Sequence, residues 1–227
     1  MALVWKYFAF GFSALLPVVN PLGSALVFLG LVGVVPAEVY RSLARRIAIN
    51  TILFFAVIEL IGSTILHFFG ISLPIVQVAG GLVLAAMGWS LLNQKDSQTT
   101  VEEANAAVQS AAQSRKNTLE QGTFYPLTFP VTAGPGCIVV MLTLGAHAST
   151  KTITDTVLSH VGLLLAVIFL SALIYVSYAY APQITSKISP STAHGILRVV
   201  AFILLCIGVQ IAWNGAAMLL TTVLQHR

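Results

Sequence analysis

Six stretches of this chain, Val4 to Val35, Ile47 to Phe69, Leu73 to Asn93, Gly122 to Ala146, Val157 to Ala181 and Ile196 to Leu220, are each apolar over the roughly 20 residues a helix needs to cross a bilayer core. Backbone in hydrocarbon must satisfy its own hydrogen bonds, so unbroken runs of this length are helices. Composition agrees. Only 8% of residues are charged and the mean hydropathy is +0.92, whereas soluble domains carry about a quarter charged residues. The expected fold is an all-α integral membrane protein with six transmembrane helices. A disordered chain, a secreted disulfide scaffold and a nucleic-acid reader are excluded by the same numbers.

The excess of eleven Lys and Arg over seven Asp and Glu is read as the signature of orientation. With the N-terminus outside, Arg41, Arg45, Arg46, Lys95, Arg115, Lys116, Lys187 and Arg198 lie inside and only Lys6, Lys151 and Arg227 outside. Both termini are therefore expected to be periplasmic. Trp5 and Tyr7 on one side, and Trp89, Tyr175, Tyr178 and Tyr180 on the other, fall where interfacial aromatic belts are expected. Cys137 and Cys206 lie in apolar runs and form neither a CxxC pair nor a Cys/His cluster, so no metal site is signalled. No basic stretch precedes the first apolar run, and no cleaved signal peptide is expected.

The longest polar stretch, residues 94–121, is rich in Ala, Gln, Ser and Glu and reads as a cytoplasmic linker. Thr100 and Glu103 have the spacing of a capping box within it. The linker separates a first repeat, 1–93, from a second, 122–227. Pro21 in LLPVVNPLGSALVFLGL and Pro135 in TFPVTAGPGCIVVMLTLG are 114 positions apart; Gly88 and Gly208 are 120 apart in similar contexts. Three crossings per copy give the copies opposite orientation, the inverted-repeat plan of secondary transporters.

The first span is interrupted by Pro17, Asn20, Pro21 and Gly23, and the fourth by Pro126, Pro130, Gly134, Pro135 and Gly136. A break at membrane depth persists only where protein buries it or a wet cavity solvates it. The second half of a broken helix aims N–H groups and a partial positive charge at the gap, which suits a carboxylate; unwound carbonyls suit an ammonium. Asn20, Pro21, Gly23 and Ser24 in one break, and Thr132, Gly134, Pro135 and Gly136 in the other, are the candidate substrate-binding residues. Glu59 is the one Asp, Glu, Lys or Arg well inside a span, a candidate for coupling to H+ or Na+ or a structural acid bonded to Ser63. Gln77 and Gln210 are secondary candidates; with Asn50, Thr51 and Asn214 they are more simply read as interhelical hydrogen bonders. His67, His147, His160 and His194 lie near span ends, at ease in the interface.

NPLGSALVFLGL, the Arg45–Arg46 pair, FGISLPIVQVAGGLVLAAMGWSLL, PLTFPVTAGPGCIVV and RVVAFILLCIGVQIAWNG, in this order across nearly the whole chain, resemble the MarC family, also described as SnatA-type neutral amino acid transporters. The resemblance implies a bacterial inner-membrane protein moving small neutral amino acids such as alanine and glycine. Family members often carry arginine before the IAGG-like motif, where this chain has Gln77.

The expected partners are a small-molecule substrate and the lipid bilayer, with no nucleic acid and no cofactor. The leading reading is an exporter or exchanger with alternating access. A channel or scaffold, or efflux of other solutes including drugs, is the alternative. Enzyme activity is not expected: GxSxG, HExxH and GxxxxGK[ST] are absent, and Ser24 stands where a paired redox cysteine would partner Cys137.

Overall fold

The computed structural model describes residues 1–33, 35–93, 122–148, 152–187 and 190–225. The proposed linker 94–121, with Thr100, Glu103, Lys95, Arg115 and Lys116, lies outside the described residues, as do Lys151 and Arg227. Every regular element among the described residues is helical. Five spans are long and apolar enough to cross a membrane, and a sixth is formed when a bent pair is taken together.

The first span divides into α1 (Ala2–Val19) and α2 (Pro21–Val32). Asn20 between them is left-handed, at φ 46° and ψ 68°, a conformation an asparagine accepts more readily than other bulky residues. Its backbone N–H closes α1 on the Leu16 carbonyl, and its side chain caps α2 by accepting from Gly23 N at 3.1 Å. Pro21 follows at the first helical position, where a missing N–H costs nothing. One residue thus ends one helix and starts the next, and the two run on as a single apolar span, Ala2–Val32.

α3 (Ala37–Phe68) begins ten residues before the predicted second span. The stretch holding Arg41, Arg45 and Arg46 has no helix breaker, so the helix continues into the polar end of the bundle. There Arg41 lies over the Tyr180 ring, and Tyr40 donates to the Gly33 carbonyl at 2.5 Å. α4 (Leu73–Asn93) follows a turn in which Gly70 takes φ 65°.

The fourth span departs most from a regular helix. Thr123–Thr132 forms a wide π-type coil in which Tyr125 and Phe129, each preceding a proline, have extended backbone. The Thr128 hydroxyl donates to Thr123 O at 2.8 Å and the Thr132 hydroxyl to Leu127 O at 2.7 Å, supplementing a ladder that Pro126 and Pro130 interrupt. α5 (Pro135–Ala148) then leaves at 70°. α6 (Ile153–Ala179) starts at Thr152, whose hydroxyl accepts from Asp155 N and donates to its carboxylate. The short α7 (Ala181–Lys187) and the long α8 (Pro190–Gln225) complete the chain.

α6 is the axis of the bundle. Its buried stripe, Leu163, Val167, Leu170, Ile174 and Tyr178, packs against α1 on one side and α3 on the other. α4 and α8 form a close antiparallel pair joined at small residues, and α4 also packs on α5, Gly80 against Val139 and Leu84 against Gly136. A methyl group placed on Gly88 would stand 2.6 Å from Leu205 N and 2.9 Å from Ala201 O; one placed on Gly208 would stand 2.7 Å from Gly81 O and 2.9 Å from Ala85 Cα. Each partner of Gly88 lies 120 positions after a partner of Gly208, the same offset that separates the two glycines.

Candidate functional site

The two breaks approach each other. A methyl on Gly136 would stand 3.6 Å from Val18 Cγ1, two residues before Asn20, so the start of α5 lies beside the end of α1. The break residues are largely withdrawn from the surface: Ser24 is 7% and Thr132 1% exposed, and Gly23, Gly134 and Gly136 are buried. Asn20 is half-buried and Pro135 exposed.

Tyr178 of α6 connects the breaks. Its hydroxyl is 2.8 Å from Thr132 Oγ1 and close to the Ser24 hydroxyl, and its ring stacks on Phe28 of α2 at 4.6 Å. Ser24 also donates to the Asn20 carbonyl at 2.9 Å. Asn50 of α3 reaches Thr128 Oγ1, four residues before Thr132, at 3.5 Å, whereas Thr51 returns to its own helix at Ile47 O. The result is a buried group of hydroxyls flanked by the N-terminal turns of α2 and α5. In such first turns the field favours an anion, although here Gly23 N is taken by the Asn20 side chain, Ser24 N by Asn20 O and Cys137 N by Gly134 O. Hydroxyls can donate or accept, so this set suits a ligand carrying both a carboxylate and an ammonium.

Tyr178 was expected in an interfacial belt and is instead fully buried. The legible signal was its register: it continues the Leu163, Val167, Leu170, Ile174 stripe at helical spacing. Residue type drew it to the interface; position put it in the core.

Glu59 lies apart from this cluster, 5% exposed on the buried Thr51, Phe55, Glu59, Gly62 stripe of α3. Its Oε1 is 3.0 Å from His160 Nδ1 on α6, while its Oε2 has no hydrogen-bond partner. The bond to Ser63 is not formed, and His160 is the partner of this buried acid. A cavity of about 110 Å³ adjoins the pair, lined by Glu59, Ser63, Leu142, Gly145 and His160 among others. His147 turns its ring to the Thr143 carbonyl at 2.7 Å, and His67 is exposed; the side chain of His194 lies outside the described residues.

Gln77 and Gln210 are not brought to the breaks. Gln77 is buried in the α4–α8 seam against Gly215, its Oε1 unpartnered, and Gln210 is exposed on α8 and donates to Asn214 at 2.9 Å. Among the described residues no group of three or more His, Cys, Asp and Glu side chains could hold a metal ion.

The description "MarC family integral membrane protein" fits residues 5–220. The chain is 26% identical over 220 residues to the UPF0056 inner membrane protein MarC of Escherichia coli K12, covering 96% of this chain and 98% of the other. It is 31% identical over 137 residues to the UPF0056 membrane protein PH0760 of Pyrococcus horikoshii, covering 60% of this chain and 63% of that one. A further relative, the UPF0056 membrane protein PYRAB13050 of Pyrococcus abyssi, is 25% identical over 212 residues, 93% of this chain and 95% of its own. No solved structure matches significantly. With a family match over nearly its whole length and five to six membrane-length apolar spans, the chain belongs to the MarC family of integral membrane proteins.

Proposed function

We propose that this protein is a secondary carrier that exports or exchanges small neutral amino acids, such as alanine or glycine, across the bacterial inner membrane. The observation that carries the reading is the convergence of two interrupted helices on one buried hydroxyl cluster, with Tyr178 bonded to Thr132 and close to Ser24. The N-terminal turns of α2 and α5 would take the substrate carboxylate, and Asn20, Thr132 and the carbonyls around the breaks its ammonium. Pro21, Gly23, Gly134, Pro135 and Gly136 shape the backbone of the two breaks. Small substrates fit the account because the cluster is closely packed and offers few polar groups.

Two inverted three-helix repeats, 1–93 and 122–227, supply the two-state element such a carrier needs. The α4–α8 seam supports this plan. Gly88 meets Ala201 and Leu205, and Gly208 meets Gly81 and Ala85, so adding 120 to one contact set gives the other with the helices exchanged. A two-fold axis in the membrane plane produces such an exchange. Rocking one repeat on the other would open the cluster to each side in turn, with the termini periplasmic and the arginine-rich start of α3 cytoplasmic. Glu59 is the coupling acid in this scheme, taking H+ or Na+.

Counterflow of labelled alanine and glycine in proteoliposomes tests the reading directly. Wild-type protein is expected to show saturable exchange that Asn20→Ala and Thr132→Ala each reduce at least tenfold. Folded protein that exchanges no small neutral amino acid would overturn it. Flux that rises linearly with concentration would point to a channel instead.

A further inference from the structure

The second polar centre of the bundle is built like a proton site. Glu59 and His160 come from the two central helices, their contact oxygen and nitrogen 3.0 Å apart, and the Glu59 side chain is wholly buried while His160 keeps 21% exposure. The carboxylate's second oxygen is unpartnered at the edge of a cavity of about 110 Å³ that also takes in Ser63. A buried polar atom without a partner is costly, and the remedies are a proton, a water or an ion. The cavity is large enough for water molecules to carry a proton in past His160.

We propose that Glu59 and His160 form a proton-binding pair: in the empty state the Glu59 carboxylate accepts Nδ1–H from neutral His160, and in the loaded state one proton sits on Glu59 Oε2. The O–H bond of a hydronium in the cavity breaks, the Oε2–H bond forms and water leaves. The pair's net charge goes from −1 to 0. The neutral form is the one that tolerates sealing in a low-dielectric interior, so closure of the cavity favours the loaded state. A Na+ ion would need several oxygens, and the cavity supplies one side-chain hydroxyl besides a carboxylate whose other oxygen is already engaged.

The titratable groups on the neighbouring helices are exposed or engaged elsewhere. On α3, His67 is two turns farther on and exposed. On α5, His147 has its ring on Thr143 O, and from α1 the Tyr7 hydroxyl donates to the His147 carbonyl. On α6, Asp155 is held by Thr152.

This inference rests on the carrier reading for its purpose, and α6 is the physical link. His160 and Tyr178 lie on that helix about 27 Å apart by helical rise, one beside the proton site and the other at the hydroxyl cluster. A displacement of α6 against α3 would be felt at both.

The test uses full-length protein in proteoliposomes and, separately, infrared difference spectra across a pH step. Wild type is expected to lose a buried carboxylic C=O band as pH rises, and Glu59→Gln to lack that band. For one proton per substrate, a gradient of one pH unit should drive about tenfold accumulation of alanine, reduced to none in Glu59→Gln and His160→Gln. His160→Gln keeps the transport arm decisive should Glu59→Gln fail to fold. Unchanged spectra in Glu59→Gln, gradient-driven accumulation retained in both variants, or accumulation driven by a Na+ gradient in place of pH would overturn the proposal. Absence of amino-acid counterflow in wild type would sink the carrier reading alone, since the infrared band still decides the proton site.

Discussion

Gly88→Ala and Gly208→Ala should destabilise the protein by the same amount. In the α4–α8 seam each new methyl would meet three backbone atoms at 2.9 Å or less, where contact of carbon with its neighbours is comfortable near about 3.5 Å. The obstacles are backbone, so no rotamer change relieves them; the helices must part by about 1 Å. Overpacking of this kind costs about 1–3 kcal/mol. On the soluble-domain scale that is a fall in Tm of about 2 to 4 °C per kcal/mol. The double variant should cost less than the two singles together, since the separation forced by one methyl already admits part of the other. Gly30→Ala is the control: it is helical, nothing lies within 4 Å of the added methyl, and removing a flexible glycine should gain about 0.5–1 kcal/mol. Thermal unfolding of purified protein in detergent reads all four. If one seam variant is neutral while the other is damaging, or the pair is fully additive, the two-fold account of the seam is wrong.

Tyr178→Phe removes one hydroxyl from the buried cluster, where Thr132 keeps its bond to Leu127 O. It should cost about 0.5–1.5 kcal/mol of stability, read by thermal unfolding, yet lower counterflow at least tenfold. At Asn20, valine should lose about 1–2 kcal/mol because a β-branched residue resists φ 46°, and glycine should be tolerated within a few tenths; relative Tm values order the three. A lipid-permeant maleimide should label exposed Cys206 in folded protein and leave buried Cys137 untouched, as mass spectrometry of each peptide will show.

The spans were legible because crossing a bilayer imposes a length and a composition that little else satisfies. Pro21 and Pro135 each stand at the first position of a helix, a place that the sequence marks by proline alone. The unequal geometry of the two breaks was not legible. Asn20 closes one helix and caps the next, so the first span runs on, whereas Pro126 and Pro130 each force an extended residue before them and the fourth turns by 70°. The helix starts at Ala37 and Pro190 were placed ten and six residues late, because hydropathy reports the membrane and not the helix that extends beyond it. Residue type and nearness to a span end assign Tyr178 and His160 to the interface. Both follow the inward face of α6, and a polar side chain on such a stripe, facing Ser24 and Thr132 in one case and Glu59 in the other, is recognisable only once its partners are known.

Thermal stabilisation of the purified protein by alanine tests the central claim, that the two breaks share one substrate site. At a hundred times its Kd a ligand bound only by the folded state adds about 2.7 kcal/mol, a readily measured rise in Tm. The account predicts that rise for wild type with alanine and glycine, none with a dibasic or aromatic amino acid, and its loss in both Asn20→Ala and Thr132→Ala. An equal rise in wild type and the two variants, or none in wild type with any small neutral amino acid, would contradict it.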